Sequence, residues 1–334
     1  MDEATTSRGA AGSGDGTAIR HDVVVVGGGP AGMQAALTLA RMHRRVLLLD
    51  AGAGRNAATA AMHNFLTQDG RSPEEFRAAG RADLAKYPHV EVREVAAVDI
   101  APDLPAEPRE GAGFRVDLAD GGPVRCRKLL LATGLRDELP DVPGLEELWG
   151  SLVLPCPYCD GHEQSGKHVA VLGEGPHAVR LALLMQRFTD RVTVLLGGGT
   201  LRDQDSATLE SAGIPVRTQP VSEVVAAPAG ARVVFGDGVD QVVEAIVLAA
   251  AATQAAPVAG RLGLDTVEGD CCVAVDGVGR TSLPGVYAAG DMARCSEAPL
   301  MEASVLAAAA SGQLAATVCD LDLLSEDTGV AQVP

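Results

Sequence analysis

Asp22-Val23-Val24-Val25-Val26-Gly27-Gly28-Gly29-Pro30-Ala31-Gly32 is the stretch that decides the fold. An unbroken apolar run is what a parallel strand covered on both faces requires, and an Ala- and Leu-rich helical pattern follows through Arg41. The order is strand, glycine turn, helix. Gly27 permits the tight turn, Gly29 lets backbone approach a pyrophosphate, and Gly32 lets the helix pack closely on the strand. Backbone N–H groups at the helix start then face the phosphates. A second strand, Val46-Leu47-Leu48-Leu49, ends at Asp50, whose carboxylate can accept hydrogen bonds from a ribose. Together these elements read as a dinucleotide-binding unit of an α/β fold.

The unit recurs. Lys167 to Leu172 repeats the strand, Gly173-Glu174-Gly175-Pro176-His177-Ala178 opens a helix running to about Phe188, and Val192 to Leu196 follows as the next strand. Three departures weaken this copy as an NADPH site. Its second strand ends in Gly197-Gly198-Gly199, where a ribose-binding acid or an arginine cluster for a 2′-phosphate belongs. Glu174 places a negative side chain in the phosphate turn and Pro176 removes a backbone donor, while Arg202 is the sole nearby cation.

Between the two units stands Pro155-Cys156-Pro157-Tyr158-Cys159-Asp160-Gly161-His162-Glu163. Two cysteines separated by two residues can close a small disulfide ring, and Asp160 is placed to move protons as that ring opens. The same spacing is also half of a zinc site, with His162 as a third ligand. No second Cys or His pair supplies the rest, so no metal is expected. The other five cysteines, Cys126, Cys271, Cys272, Cys295 and Cys319, lack a redox spacing and read as structural, adjacent Cys271 and Cys272 least securely.

Outward from these motifs, the segment after Asp50 carries Gly52, Gly54, Arg55, Asn56, His63, Asn64 and Phe65. Its polar groups are either candidates for touching a ring system beyond the pyrophosphate or an ordinary polar loop. A helix is expected over 73–86, and strand-like pieces at 89–98 and 114–118 suggest a small meander. Leu129 to Gly134 reads as a buried strand, after which Pro140, Pro143 and Gly144 mark a domain crossing. The second unit continues through Pro215 to Val225, Ala231 to Phe235 and Ala245 to Ala249, and the chain crosses back near Leu262 to Asp265. Strands at Cys272 to Val275 and Val286 to Ala289 lead to Gly290-Asp291, where an acid could hold a hydroxylated linker between phosphates and a ring. A long Ala-rich helix is expected over 302–324. Residues 1–20 read as a mobile tail, 21–136 with 263–334 as one domain, and 137–262 as a second inserted into it.

Composition narrows the function. The chain has 334 residues, 47% hydrophobic but only 3% aromatic, so its cores must be built from Ala, Val and Leu. A formal charge of −17 without a basic cluster argues against nucleic acid. No apolar run approaches the roughly 20 residues of a membrane span and the beginning lacks the apolar core of a signal peptide, so a cytoplasmic protein is expected.

The motifs in this order resemble the low-molecular-weight thioredoxin reductases: Gly27 to Gly32, Ala132-Thr133-Gly134, Cys156 to Asp160, Gly173 to Ala178, and Thr281 to Asp291. The likeness covers the chain beyond its first 20 residues. It implies two Rossmann-like domains, an FAD domain built from both ends of the chain and an inserted NAD(P)-type domain bearing the disulfide, and a homodimer. It also implies that Gly27, Gly29, Gly32 and Asp50 hold the ADP half of FAD and that Gly290 and Asp291 hold its ribityl chain. Asp stands at position 50 where Glu is commoner in the family. Arg55, Asn56, Asn64 and Gly134 fall beside the cofactor. By the same likeness Cys159 faces the flavin, Cys156 exchanges with substrate, and Asp160 is the acid/base neighbour.

Within that family Cys156-Pro157-Tyr158-Cys159, Gly161-His162-Glu163, Arg55-Asn56 and Met62-His63-Asn64-Phe65 resemble the gliotoxin- and holomycin-type dithiol oxidases. This branch implies an enzyme that takes two electrons from a small-molecule dithiol and passes them through the disulfide and FAD to oxygen. His162 would either assist Asp160 or be an ordinary loop residue. The competing readings are a thioredoxin reductase fed by NADPH or a ferredoxin-like donor, and a flavin-containing module that only sequesters a dithiol.

Overall fold

The computed structural model describes residues 21–52, 54–103, 113–295, 297 and 303–331. The expected tail at 1–20 and the first residue of the expected last helix lie outside these. Along the first part of the chain run β1 (His21–Val26), α1 (Pro30–Arg41), β2 (Val46–Leu49), α2 (Pro73–Leu84), β3 (Val90–Arg93), β4 (Ala97–Asp103), β5 (Gly113–Leu118) and β6 (Val124–Leu131). The middle holds β7 (Leu135–Glu138), α3 (Leu145–Leu148), β8 (Val153–Leu154), α4 (Pro157–Asp160), β9 (Val169–Leu172), α5 (Gly175–Met185), β10 (Val192–Leu195), α6 (Asp203–Ser211), β11 (Val216–Arg217), β12 (Val221–Ala227), β13 (Gly230–Phe235), β14 (Gln241–Val243), β15 (Ala245–Leu248) and β16 (Ala251–Gln254). The last part adds α7 (Val258–Arg261), β17 (Val273–Val275), β18 (Val286–Ala288), β19 (Ala293–Cys295) and α8 (Val305–Thr328).

The first sheet runs β3-β2-β1-β6-β5-β4, with β18 also on β6. All six residues of β1 are buried, as its unbroken valine run requires. β6 changes partner halfway along: Val124 to Cys126 pair antiparallel with β5, while Leu129 to Leu131 pair parallel with β18. This switch brings the C-terminal segment into the N-terminal sheet. The expected strand at 89–98 is divided in the structure. Val90 to Arg93 extends the parallel sheet beside β2, and the meander consists of β4, β5 and β6. Glu94 to Ala96 form no ladder between them, so one apolar pattern served both edges of a single sheet.

The second sheet, β11-β10-β9-β15-β8, is parallel throughout and faces a separate antiparallel meander, β12-β13-β14. Its β9-α5-β10 unit repeats β1-α1-β2. The chain passes between the two bodies on β7 and β16, which pair antiparallel from Leu135 with Gln254 to Glu138 with Ala251. We propose that the domain division runs through this ribbon. Residues 257–262 are then counted with the first domain, because Val258 and Ala259 lie in its core.

α1 and α8 cross with small residues between them, so their backbones come close. A Cβ on Gly312 would lie 2.1 Å from the carbonyl oxygen of Ala31, and Ala35, Ala315 and Ala316 are fully buried beside it. The far end of α8 is tied down by charge: Arg44 bonds Asp320 at 2.6 Å and Asp327 at 2.8 Å, and Arg127 bonds Asp327 at 2.7 Å. Gly312→Ala should therefore lower stability by about 1–3 kcal/mol through overpacking, seen as an earlier thermal transition. An unchanged melting temperature would show that the helices can separate without loss.

Candidate functional site

The cysteine turn is shaped by its own residues. Cys156 is extended at the N-cap of α4 (φ −144°, ψ 115°), and Pro157 at the first helical position has a φ preset for the turn. The N–H groups of Cys159 and Asp160 both donate to the Cys156 carbonyl, at 3.2 and 3.0 Å. One helical turn thus places the sulfurs side by side, 2.7 Å apart.

The chemistry of these thiols differs from the rest. A hydrogen bond from Cys159 lowers the Cys156 pKa, burial opposes it, and the N–H groups of Cys159 and Tyr158 lower it further against the charge of Asp160. Burial pushes Cys126 and Cys272 up to about 12 and raises Cys271 and Cys319 as well. These effects shift Cys156 towards the thiolate and those four away from it. Asp160 is pushed up to about 6, first by burial and then by the charge of Glu163, with His63 acting in the opposite direction. His162 is exposed.

This turn faces a cleft of about 1470 Å³ whose other walls come from the first body, from the crossing segment and from α5. Gly27, Gly29, Asp50, Arg55, Asn56, Asn64, Gly134, Gly290 and Asp291 line it together with Cys156, Cys159 and Asp160. Gly32 does not. It lies beneath the turn, where a Cβ would meet the Gly27 carbonyl oxygen at 1.8 Å, so its place is in the close packing of helix on strand. Nothing stands within 4 Å of a Cβ built on Gly29, which leaves the start of α1 open to the cleft.

Several cleft residues are engaged by groups the sequence did not point to. Asp50 accepts from Arg77 at 2.8 and 2.9 Å, from Arg81 at 3.3 Å and from the Gly52 N–H at 2.9 Å. A Cβ on Gly28 would lie 2.2 Å from the Asp50 carboxyl carbon, so the middle glycine has a packing role of its own. Arg55 holds Asp137 with two bonds, at 2.9 and 2.6 Å, and Asp291 with a third at 3.0 Å. Asp137 lies on β7, so one guanidinium joins the crossing strand to the Gly290-Asp291 turn. The Gly290 N–H donates to Ser311 on α8 at 2.9 Å.

In the second nucleotide unit a Cβ on Gly175 would meet nothing within 4 Å, as at Gly29, but its acid is turned onto the following loop. A Cβ on Gly199 would lie 2.1 Å from a Glu174 carboxylate oxygen, which places that carboxylate against the loop after β10. Arg202 is bound by Asp205 at 2.7 and 3.0 Å. Arg217 bonds Asp237 and the Val239 carbonyl and lies over the Phe235 ring at 3.4 Å. Among the described residues, the group spaced to hold a metal is Asp270, Cys271 and Cys272, where Arg294 already bonds Asp270 at 2.7 Å.

A nucleotide cleft that meets a redox cysteine pair defines a disulfide oxidoreductase. The chain belongs to the pyridine nucleotide-disulphide oxidoreductase family, whose model matches residues 21–313. It is 32% identical over 318 residues to the thioredoxin reductase tcpT of Claviceps purpurea, covering 92% of this chain and 96% of that one. The crystal structure of HlmI superposes with a TM-score of 0.83 at 35% identity, covering 92% and 94%. An oxidoreductase from Agrobacterium tumefaciens gives 0.82 at 30% identity, covering 92% and 99%. The likeness expected from the motifs holds: this is a thioredoxin reductase-like redox enzyme, and FAD is its cofactor. The open start of α1, the acid at the end of β2 and the acid after β18 fit that group. Among the described residues no helix is long and apolar enough to cross a membrane.

Reduced native protein treated with limiting iodoacetamide near neutral pH should be alkylated first at Cys156, with Cys126, Cys272 and Cys319 reacting only after unfolding. Peptide mass spectrometry reads the order. Early alkylation of Cys272 would show that the adjacent pair, and not the turn, holds the reactive thiol.

Proposed function

We propose that this enzyme is an FAD-dependent dithiol oxidase that closes an intramolecular disulfide in a small-molecule dithiol, with oxygen as acceptor and hydrogen peroxide as product. The observation that carries this reading is the pairing of an activated Cys156 beside the cleft with a second nucleotide turn occupied by Glu174. Electrons are then supplied by substrate and not by a nicotinamide. Gly27, Gly29 and Asp50 hold the ADP half of FAD with Gly32 packed beneath the turn, Gly290 and Asp291 hold its ribityl chain, and Arg55, Asn56, Asn64 and Gly134 surround the rest. FAD, when bound, removes the electron pair from the reduced cysteines and transfers it onward.

The protein's own residues act in a fixed order. A substrate thiolate attacks Cys156 Sγ, and Cys159 leaves as a thiolate. The second substrate thiol attacks the sulfur joined to Cys156, releasing the cyclic disulfide and a second protein thiolate. Two protons leave the substrate, and Asp160 is the carboxylate placed to accept them. We further propose a homodimer in the cytoplasm.

The runner-up is a thioredoxin reductase driven by NADPH or a ferredoxin-like donor, favoured by the name of tcpT. Oxygen uptake by the yellow protein with small dithiols or reduced thioredoxin, each with and without NADPH, separates the two. Dithiol-dependent uptake without NADPH is expected. Rapid bleaching of the flavin by NADPH alone would overturn the oxidase reading. Cys159→Ser should abolish turnover with flavin retained, and full activity in that variant would refute the mechanism.

Asp160 adds a pH signature. With its pKa at about 6, the carboxylate accepts protons above that value, so turnover should fall as pH drops through about 6. Asp160→Asn should cost on the order of 10²-fold in rate and remove that limb. Because the folded pKa exceeds the unfolded value of 3.8, the stabilising effect of this group is full below 3.8 and lost as pH rises through about 6. Asp160→Asn should therefore melt later than the parent near neutral pH, and an earlier transition would contradict the burial account.

A further inference from the structure

Asp160 must pass on the protons it takes, and its own turn offers no evident carrier, since His162 is exposed and does not line the cleft. Two histidines do line it, His177 on α5 and His63 from the other body, and His63 is the one with a carboxylate near each ring nitrogen. His63 stands on a tight loop after β2, closed by the Met62 pairing with Arg71 and by a bond from the Gly70 N–H to the Met62 carbonyl at 2.9 Å. Its Nε2 lies 3.8 Å from Glu163, just beyond α4, and its Nδ1 lies 3.5 Å from Asp69 on its own loop.

The loop is built to hold this arrangement. Asn64 adopts φ 60°, a left-handed conformation that Asn tolerates better than most residues, and its N–H donates to Asp69 at 2.8 Å. Asp69 is thereby aimed at the ring. Side-chain exposure is 40% at Glu163, 23% at His63 and 66% at Asp69, so the path ends at its most exposed group. An imidazole with a carboxylate near each of its nitrogens has the arrangement a proton carrier needs, because it takes up at one atom and releases at the other.

We infer that His63 is a positioning residue of the dithiol reaction, carrying protons from Asp160 through the Glu163 side of its ring to Asp69 and solvent. The inference rests on the proposed role of the cysteine turn. Each substrate thiol loses one proton to Asp160, each proton leaves through His63, and the electron pair stays on the two cysteines as their S–S bond breaks. The charged groups near the ring are Asp69 from its own loop at 3.5 Å and Glu163 beyond α4 at 3.8 Å, and the charge of the ring also reaches Asp160. The charge of His63 opposes that of Glu163 in setting Asp160. The path crosses between bodies, so it exists only while the cysteine turn is docked on the first domain.

The test is rapid anaerobic mixing of the flavin-loaded protein with dithiothreitol, following flavin bleaching between about pH 5 and 9. His63→Gln keeps a polar side chain that cannot titrate, and flavin content and melting temperature are checked to be unchanged. It should slow bleaching on the order of 10²-fold, displace the acid limb, and be partly rescued by added imidazole. Glu163→Gln should shift the limb without abolishing it. A His63→Gln protein with the parental rate and pH profile would overturn the relay while leaving the oxidase reading intact. Slowed bleaching with an unshifted profile and no rescue would overturn it as well, by making His63 a packing residue. A parent protein that dithiothreitol cannot bleach would instead sink the reading of the cysteine turn, and the relay with it.

Discussion

The three bonds of the Arg55 guanidinium join segments that are far apart in sequence: the loop after β2, the crossing strand β7 and the turn after β18. A carboxylate pair facing the same cleft would repel and stay hydrated without a cation between them. Fixed by one arginine, Asp137 and Asp291 set where the crossing ribbon leaves the first body. That in turn sets where the second body can present its cysteine turn. The guanidinium is held well above the usual arginine range, first by its bonds to Asp137, with burial opposing, so it keeps its charge throughout. Its planar fork suits two bonds to one carboxylate and a third to another, an arrangement lysine cannot reproduce.

The same economy of parts appears in the contrast between the two nucleotide units. Both have a buried parallel strand, a glycine turn and a helix with proline near its start. In the first, the helix start opens on a large cleft. In the second, Glu174 lies against the following loop, and the nearby arginines are bound by Asp205 and Asp237. A fold unit is maintained by apolar packing, whereas its ligand depends on a few polar groups at its rim.

The strand-turn-helix units, the cysteine turn and the acid after β18 were legible because each is encoded within a dozen residues by period, glycine spacing or a short motif. The meander was misplaced because residues 89–98 carry one apolar pattern that two different strands share. Nothing local marked Arg77 and Arg81 as the partners of Asp50, since they stand on a helix whose own pattern reads only as amphipathic. The sequence placed only His162 beside Asp160, whereas the structure brings His63 near it from the other body. Their difference is which body and which side of the turn each occupies.

The sequence by itself determined the two nucleotide-binding units, the disulfide chemistry and the order in which they occur, because period, turn and reactivity are properties of neighbouring residues. Tertiary structure alone decided that the C-terminal segment completes the first sheet through the partner change on β6, that Arg55 pins the crossing strand, and that Glu174 lies against the loop after β10. Those outcomes depend on contacts between residues a hundred or more positions apart, or on the aim of one side chain within reach of several partners. Neither is written in local spacing; both are fixed only when the apolar faces are buried and the remaining charges must find partners.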